Sequence, residues 1–213
     1  MNQLPDYQAE WDAKYRSGYG LGEAPNAFLA SQAHRLRPGW KALAVADGEG
    51  RNGVWLAEQG LDVVSADVSP VAQERARQLA ARRGVAVTLE RVDLLTAALP
   101  EAAFDVVAAI FIQFAGPPAR DELFAKLKGA LRPGGLFLLE GYRTEQLSYR
   151  TGGPPCVESL YTEDFIRATF ADFEVLHLAL RDAVLEEGSA HRGMSALLDL
   201  VARKPGLLMD AFR

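Results

Sequence analysis

The sequence lacks the features of a disulfide-bonded, metal-binding or membrane-inserted protein. Its 213 residues include one cysteine, Cys156, so no intramolecular disulfide can form and a reducing compartment is expected. The three histidines show no spacing typical of a metal site, and we expect no metal. No apolar run approaches the roughly 18 residues of a transmembrane helix, and the N-terminus lacks the apolar core of a signal peptide. We therefore expect a cytoplasmic protein with no membrane partner.

Positive charge is also scarce. Lys and Arg number 23 against 28 Asp and Glu, which gives a formal net charge of -5 and argues against nucleic acid as a partner. Hydrophobic residues make up 49% of the chain, as in ordinary globular proteins. Its length suits one domain over residues 1–213. The composition leaves monomer and homodimer equally open.

Short apolar runs alternate with helical segments through most of the chain. Parallel strands joined by helices form a doubly wound α/β sheet, and the last two strands are close enough to form an antiparallel hairpin. The predicted strands cover residues 42–46, 61–66, 86–92, 104–111, 136–140, 173–185 and 192–203. The predicted helices cover residues 4–16, 25–37, 52–59, 71–83, 117–131 and 162–170. The pattern predicts a mostly parallel seven-stranded sheet ending in an antiparallel hairpin.

A glycine-rich turn follows the first predicted strand. Asp47 and Gly48 form a turn dipeptide, Gly50 permits close backbone approach, and a helix should begin near Asn52. Such a turn places unpaired N–H groups at the carboxyl end of the sheet, where open α/β proteins bind nucleotides.

The nucleotide is not fixed by this turn alone. Residues 48–53 satisfy the GxGxxG pattern and Asp67 lies 19 residues after Gly48 (67 minus 48), as in a nicotinamide dinucleotide site. Glu49, however, would place a carboxylate where a pyrophosphate must bind. S-adenosylmethionine carries no phosphate and fits better. Asp67 would accept its ribose hydroxyls, and Asp93 its adenine amine, with Leu94 against the ring.

These motifs resemble those of class I S-adenosylmethionine-dependent methyltransferases, and the chain is similar to the small bacterial tellurite-resistance methyltransferase group. The resemblance spans nearly the whole sequence, and it implies that the glycine turn passes the methionine tail and that Asp67 and Asp93 bind ribose and adenine. The matching segments are Trp11-Asp12-x-x-Tyr15, Glu23-x-Pro25-Asn26-x-Phe28-Leu29, Gly48-Glu49-Gly50-Arg51-Asn52, Ala66-Asp67-Val68-Ser69, Leu131-Arg132-Pro133-Gly134-Gly135, Glu140 and Ala202-Arg203-Lys204-Pro205. The residues expected to bind the cofactor are Asp47, Gly48, Glu49, Gly50, Asn52, Asp67, Val68, Asp93, Leu94 and Ile110.

The glycine turn departs from the family pattern Asp-x-Gly-x-Gly-x-Gly at two positions. Ala44 replaces the acid that helps to hold the cofactor ammonium, and Ala46 replaces the first glycine. Asp47 is the acid that would make this contact instead. The departure also leaves open a non-catalytic module that keeps the fold for binding, and a nicotinamide-dependent dehydrogenase is a third hypothesis.

The resemblance implies methyl transfer, and we expect the acceptor to be a small molecule. Trp11 and Tyr15 precede a glycine-rich segment, which predicts that residues 1–37 form an N-terminal helical lid. No base is strongly placed after the fourth strand, which favours a soft or already ionised acceptor. The expected catalytic residues are Tyr15, Gln113, Tyr142, Arg143 and His191. Trp11, Tyr19, Phe111 and Arg192 are expected to complete the acceptor pocket.

Overall fold

The computed structural model describes residues 7–17, 20–188 and 191–206. Within them, seven strands form one sheet in the order β3-β2-β1-β4-β5-β7-β6. The first five strands are parallel, whereas β7 pairs antiparallel with both β5 and β6. The strands are β1 (Lys41–Val45), β2 (Asp62–Asp67), β3 (Thr88–Arg91), β4 (Phe104–Ile110), β5 (Leu131–Tyr142), β6 (Glu174–Glu187) and β7 (His191–Arg203). The predicted fold class is confirmed.

Seven α-helices accompany the sheet in the described residues. Ser69 caps α4 by accepting a hydrogen bond from Ala72 N, and Pro70 occupies the first helical turn, as the sequence predicts. The helices are α1 (Tyr7–Arg16), α2 (Ala27–Ser31), α3 (Arg51–Glu58), α4 (Pro70–Arg83), α5 (Ala119–Ala130), α6 (Gln146–Tyr149) and α7 (Glu163–Thr169).

The sheet is covered by apolar side chains on both faces. In β1, Leu43 and Val45 belong to the core beneath α5 and α7, whereas Ala42 and Ala44 belong to the core beneath α2 and α3. This alternation follows from the two-residue period of a strand. Burial on both faces explains why β1 carries a continuous apolar run.

The order of the strands creates a crevice beside β1. The chain runs from β1 outward to β2 and β3, and then returns to place β4 on the other side of β1. Open α/β sheets bind ligands at such a switch point, outside the carboxyl ends of the strands. The glycine turn between β1 and α3 lies at this position.

Several predicted elements differ in extent from those in the structure. The helix predicted over residues 25–37 ends at Ser31 and is followed by a separate 3-10 turn, Ala33–Arg35, because only Phe28 and Leu29 are buried in the first segment. β5 starts at Leu131 rather than residue 136, since the predicted turn at 132–135 is an irregularity within the strand. β6 and β7 also extend further toward their connection than predicted, to Glu187 and from His191.

Candidate active site

A cavity lies at the switch point beyond the ends of β1, β2, β3 and β4. Its lining brings together residues that are far apart in the chain, including Asp67 and Asp93. Seven of the ten predicted cofactor residues line it: Asp47, Asn52, Asp67, Val68, Asp93, Leu94 and Ile110. We call it the first cavity.

The other three predicted cofactor residues, Gly48, Glu49 and Gly50, are not among the described residues that line this cavity. Gly48 N instead donates to Asp67 Oδ2 at 2.9 Å. A Cβ atom at Gly48 would lie 2.5 Å from Tyr15 Oη, and one at Gly50 would lie 2.6 Å from Ala76 Cβ. These two glycines let α1 and α4 pack closely against the turn.

The Glu49 carboxylate is neutralised within the protein. It forms an ion pair with Arg75 and accepts a hydrogen bond from Leu21 N at 3.3 Å. Glu49 therefore presents no unpaired charge to a ligand, and the sequence-based argument from Glu49 against a pyrophosphate does not hold.

Asp47 is buried beneath the turn. Its carboxylate accepts hydrogen bonds from Ser65 Oγ at 2.7 Å and from Gly53 N at 3.1 Å. Burial raises the pKa of Asp47 to about 7, although the Ser65 and Gly53 hydrogen bonds oppose this rise. Asp47 therefore titrates near neutral pH at the wall of the first cavity.

The carboxylates of Asp67 and Asp93 are oriented by their own loops. Asp67 accepts from Gly48 N and, at 2.8 Å, from Ser69 N, while burial raises its pKa. Asp93 accepts from Leu95 N at 2.9 Å and from Thr96 Oγ1 at 3.1 Å. An ionised carboxylate has about four lone-pair positions, so both residues retain acceptor capacity toward the cavity.

Arg51 is a cavity residue to which the sequence analysis assigned no role. Its side chain is only 2% exposed and its Nη2 lies 2.7 Å from Glu187 Oε2, although Arg51 Nε has no partner among the described residues. Glu187 Oε1 also accepts from Asn26 Nδ2 at 3.0 Å. Asn26 N in turn donates to Asn52 Oδ1 at 2.9 Å. In the sequence, the only indication of a role for Asn26 and Arg51 was that both lie in the motifs that resemble the methyltransferase family.

A second buried group of charges continues from Asn26. Asn26 Nδ2 donates to Glu140 Oε1 at 2.5 Å, and Glu140 also pairs with Arg181. Arg181 Nε reaches Asp199 at 2.6 Å. Burial, together with neighbouring Asp199, raises the pKa of Glu140 well above its usual range. These contacts connect β5 and the terminal hairpin to the segment that precedes α2.

A short segment, residues 20–22, covers the first cavity, and we call it the strap. Leu21 lines the cavity, and its carbonyl accepts from Arg51 Nη1 at 3.4 Å. On its other side the strap touches the hairpin. A Cβ atom at Gly188 would meet the Gly20 carbonyl oxygen and lie 2.7 Å from Gly22 N. The strap is therefore held between the glycine turn and the end of β6.

A second cavity, of about 460 Å³, adjoins the first. The two share Trp11, Phe111, Phe114 and His191 as walls. Among the predicted catalytic residues, Gln113, Tyr142 and His191 line the second cavity, whereas Tyr15 lines only the first.

His191 lies where the cavities meet. Its Nδ1 and Tyr142 Oη are 3.0 Å apart, and the Phe111 ring lies 4.3 Å from the imidazole, measured between ring centroids. Burial, with the Arg51 charge nearby, lowers the pKa of His191 to about 3. His191 is therefore neutral at physiological pH.

Arg143 and Arg192, which the sequence analysis placed near the acceptor, lie elsewhere. Neither is among the described residues lining the two cavities. The Arg143 guanidinium pairs with Glu145 and Asp182, and Arg192 is exposed on β7. Tyr19 lies outside the described residues.

Metal sites and membrane spans concern residues 7–17, 20–188 and 191–206, the part of the chain that the structure describes. In this part of the chain no group of three or more His, Cys, Asp or Glu side chains is arranged to hold a metal ion. No helix described there has the length and apolar character needed to cross a membrane.

Comparisons with known proteins agree with this geometry. Residues 42–135 match the model of a methyltransferase domain family. Hemagglutinin 1 of Eikenella corrodens is 29% identical over 174 residues, covering 78% of this chain and 55% of that protein. A carboxy-S-adenosyl-L-methionine synthase of a Geobacter species is 30% identical over 127 residues, covering 56% of this chain and 49% of the synthase. The chain thus spans about half the length of these relatives.

Among solved structures, TehB from Haemophilus influenzae has the same fold. It superposes with a TM-score of 0.72 at 18% identity, covering 92% of this chain and 66% of TehB. Residues 42–135 therefore match a methyltransferase domain family, and the described chain shares the fold of TehB, with a cavity at the switch point of the sheet.

Proposed function

We propose that this chain transfers a methyl group from S-adenosylmethionine to a small-molecule acceptor that is soft or already ionised. The observation that carries the proposal is the convergence of Asp67 and Asp93 on one cavity with the apolar side chains of Val68, Leu94 and Ile110. One carboxylate can accept hydrogen bonds from the ribose hydroxyls and the other from the amine of a purine, while the apolar side chains can pack against the faces of the purine ring.

The cavity residues fit the remaining parts of the cofactor as well. Asp47 is the acid available for the ammonium group, and the guanidinium of Arg51, although paired with Glu187, lines the cavity as a hydrogen-bond donor that suits a carboxylate. When bound, S-adenosylmethionine supplies a methyl group activated by its sulfonium. The chain's contribution is to hold the acceptor in line with that methyl group and to exclude water.

The neutral state of His191 supports an acceptor that needs no strong base. A group with a pKa of about 3 holds a proton poorly at neutral pH, so His191 is a weak general base. Its hydrogen bond with Tyr142 fixes the imidazole at the junction of the cavities. We assign His191, Tyr142 and Gln113 to orienting the acceptor rather than to deprotonating it.

We further propose that α1 and the strap form the lid expected over residues 1–37 of a single domain spanning residues 1–213. The first cavity measures about 80 Å³, well below the roughly 300 Å³ of an ordinary ligand pocket. Trp11, Tyr15 and Leu21 line it from the N-terminal side, so their outward movement would admit the cofactor.

Composition, the second cavity and the family match support the proposed compartment and substrate and weigh against the two alternative functions. One cysteine and a net charge of -5 favour work in the cytoplasm on a small molecule rather than on nucleic acid. The second cavity provides acceptor space beside Trp11, which weighs against a non-catalytic module. The family match weighs against a nicotinamide-dependent dehydrogenase.

Calorimetry with S-adenosylhomocysteine tests the cofactor site without requiring an acceptor. We expect the wild type to bind, and Asp67→Ala to weaken binding at least tenfold because the ribose loses its acceptor. Asp67→Asn retains one acceptor oxygen for Gly48 N and should show a smaller loss if folding is intact by circular dichroism.

Asp62→Ala is the matched control, since Asp62 is an exposed aspartate at the other end of β2. It should bind like the wild type. Absence of heat with the wild type at millimolar ligand, or equal binding by folded Asp67→Ala, contradicts the proposed function.

A further inference from the structure

Several aromatic side chains line the second cavity. Trp11, Phe111, Phe114 and Tyr142 contribute aromatic rings, and the loop opposite contributes Pro154 and Pro155. The Phe111 and Tyr142 ring centroids are 4.8 Å apart. The two rings are tilted by 36° and pack against each other, and aromatic side chains of this kind favour an apolar, aromatic ligand body.

Phe111 is held in an unusual backbone conformation at this wall. Its φ of 55° lies in the left-handed region, which a bulky side chain rarely adopts. Phe111 N donates to the Glu140 carbonyl at 2.7 Å, which fixes this conformation at the end of β4. Strain of this kind clusters at ligand sites, where the surrounding structure imposes it.

The Gln113 amide and the Tyr142 hydroxyl in this wall are already hydrogen-bonded within the protein. Gln113 Nε2 donates to the carbonyls of Tyr142 and Ser159, both at 2.9 Å, and its Oε1 accepts from Tyr142 N. Tyr142 Oη is engaged with His191. A strongly hydrated ligand would therefore lose water without gaining equivalent hydrogen bonds.

Charge in the second cavity is equally limited. Of the described residues that line it, Lys14 is the only one with a permanent positive charge; it is exposed, and its Nζ lies 4.1 Å from the centre of the Trp11 ring. Glu10 carries the opposite charge on the same helix. An inorganic oxyanion, which needs several donors or paired cations, has neither here.

From the aromatic walls, the occupied Gln113 and Tyr142 side chains and the absence of a buried cation among the described residues that line the second cavity, we infer that the acceptor is an aromatic thiol bound as its thiolate. This inference rests on the proposed function and names its substrate class. A thiolate is a strong, soft nucleophile, and conjugation with a ring keeps a thiol ionised at neutral pH. It therefore reacts without the strong base that the site lacks.

No proton is transferred in the step that moves the methyl group. The thiol proton passes to solvent when the acceptor ionises. The thiolate sulfur then forms a bond to the methyl carbon while the bond between that carbon and the sulfonium sulfur breaks. The electron pair of the broken bond stays on the sulfonium sulfur, so the negative and positive charges cancel. The products are a methyl aryl thioether and S-adenosylhomocysteine.

Product formation is measured by mass spectrometry with thiophenol, 2-mercaptoethanol and phenol in a phosphine reductant that keeps Cys156 reduced. Selenite and tellurite are assayed without the phosphine, because it would reduce them. We expect kcat/KM for thiophenol to exceed that for 2-mercaptoethanol at least tenfold, with no product from phenol or either oxyanion. Equal use of 2-mercaptoethanol, turnover of an oxyanion, or cofactor binding without thiophenol turnover overturns the inference.

Two tryptophan variants test the location. Cys156 lines only the second cavity, so Cys156→Trp should fill it, lowering kcat/KM for thiophenol at least tenfold and leaving the dissociation constant of S-adenosylhomocysteine within twofold. Val157→Trp is the control, because Val157 is 48% exposed next to it and is not a wall of either cavity in the described chain. Equal effects of the two variants would overturn the location. If the wild type does not bind S-adenosylhomocysteine, the result contradicts the proposed function instead.

Discussion

At the scale of single residues, Asp47 links the cofactor site to solution pH. Its carboxyl faces Ser65 on β2, Gly53 on α3, and the charges of Asp67 and Arg51. A cofactor ammonium is attracted only by the ionised form. Since burial raises the pKa of Asp47 to about 7, cofactor affinity should increase as the pH rises through neutrality.

We expect the dissociation constant of S-adenosylhomocysteine to fall about tenfold between pH 6 and pH 8, as one group titrating near pH 7 requires. Asp47→Asn should bind more weakly at pH 8 and lose this dependence. Calorimetry at several pH values measures both. An unchanged pH profile in Asp47→Asn would show that Asp47 makes no contact with the ammonium.

The same residue should lower stability at high pH. The folded-state pKa of about 7 exceeds the ordinary value of 3.8, so the folded state holds the proton more tightly than the unfolded state between these values. The free energy of unfolding must therefore fall as the pH rises from 4 to 7. At pH 8 Asp47→Asn should be more stable than the wild type by at most about 4 kcal/mol, and at pH 3 the two should be similar. Urea unfolding measures this, with exposed Asp62→Asn as the control.

At the scale of elements, the end of β6 holds the strap and α3 together through Glu187. Replacing Glu187 by Ala leaves the buried Arg51 charge without its partner, which costs about 3 kcal/mol in comparable buried pairs. Glu187→Ala should also weaken S-adenosylhomocysteine binding about tenfold, because Arg51 and Leu21 lose their fixed positions.

Glu187→Gln keeps an acceptor for Asn26 and should show smaller losses of stability and affinity. Glu186→Ala, one residue earlier on β6 and exposed, is the control. Urea unfolding and calorimetry provide the two measurements. Equal behaviour of Glu187→Ala and Glu186→Ala would exclude a positioning role for Glu187.

The sequence predicted those features that depend on residues close together in the chain, and it missed contacts between residues far apart. The strands and the meeting of Asp67 with Asp93 were predictable, because parallel strands bring their carboxyl ends to one edge. Arg143 was misplaced because β5 runs on to Tyr142, and the two-residue period then turns Tyr142 and Arg143 to opposite faces. The contact between Asn26 and Glu187 joins residues 161 positions apart, and no local pattern encodes it.

At the scale of the whole molecule, cofactor binding should stabilise the protein mainly around the first cavity. A ligand that binds only the folded state at 100 times its dissociation constant adds about 2.7 kcal/mol to the free energy of unfolding. We expect hydrogen exchange to slow mainly over residues 7–17, 20–27, 187–188 and 191–193, where the strap meets the hairpin. The edge strand β3 should change little. Uniform slowing across the sheet would contradict a lid formed by the N-terminal segment.

The contact between the strap and Gly188 also constrains how the protein is made. During translation the strap leaves the ribosome more than 160 residues before Gly188, the residue against which it docks. Until then the sheet can assemble around β1 while the first cavity stays uncovered. Ribosome-bound intermediates ending before β6 should therefore be cut readily by protease near residue 21, and release of the full chain should abolish this cleavage.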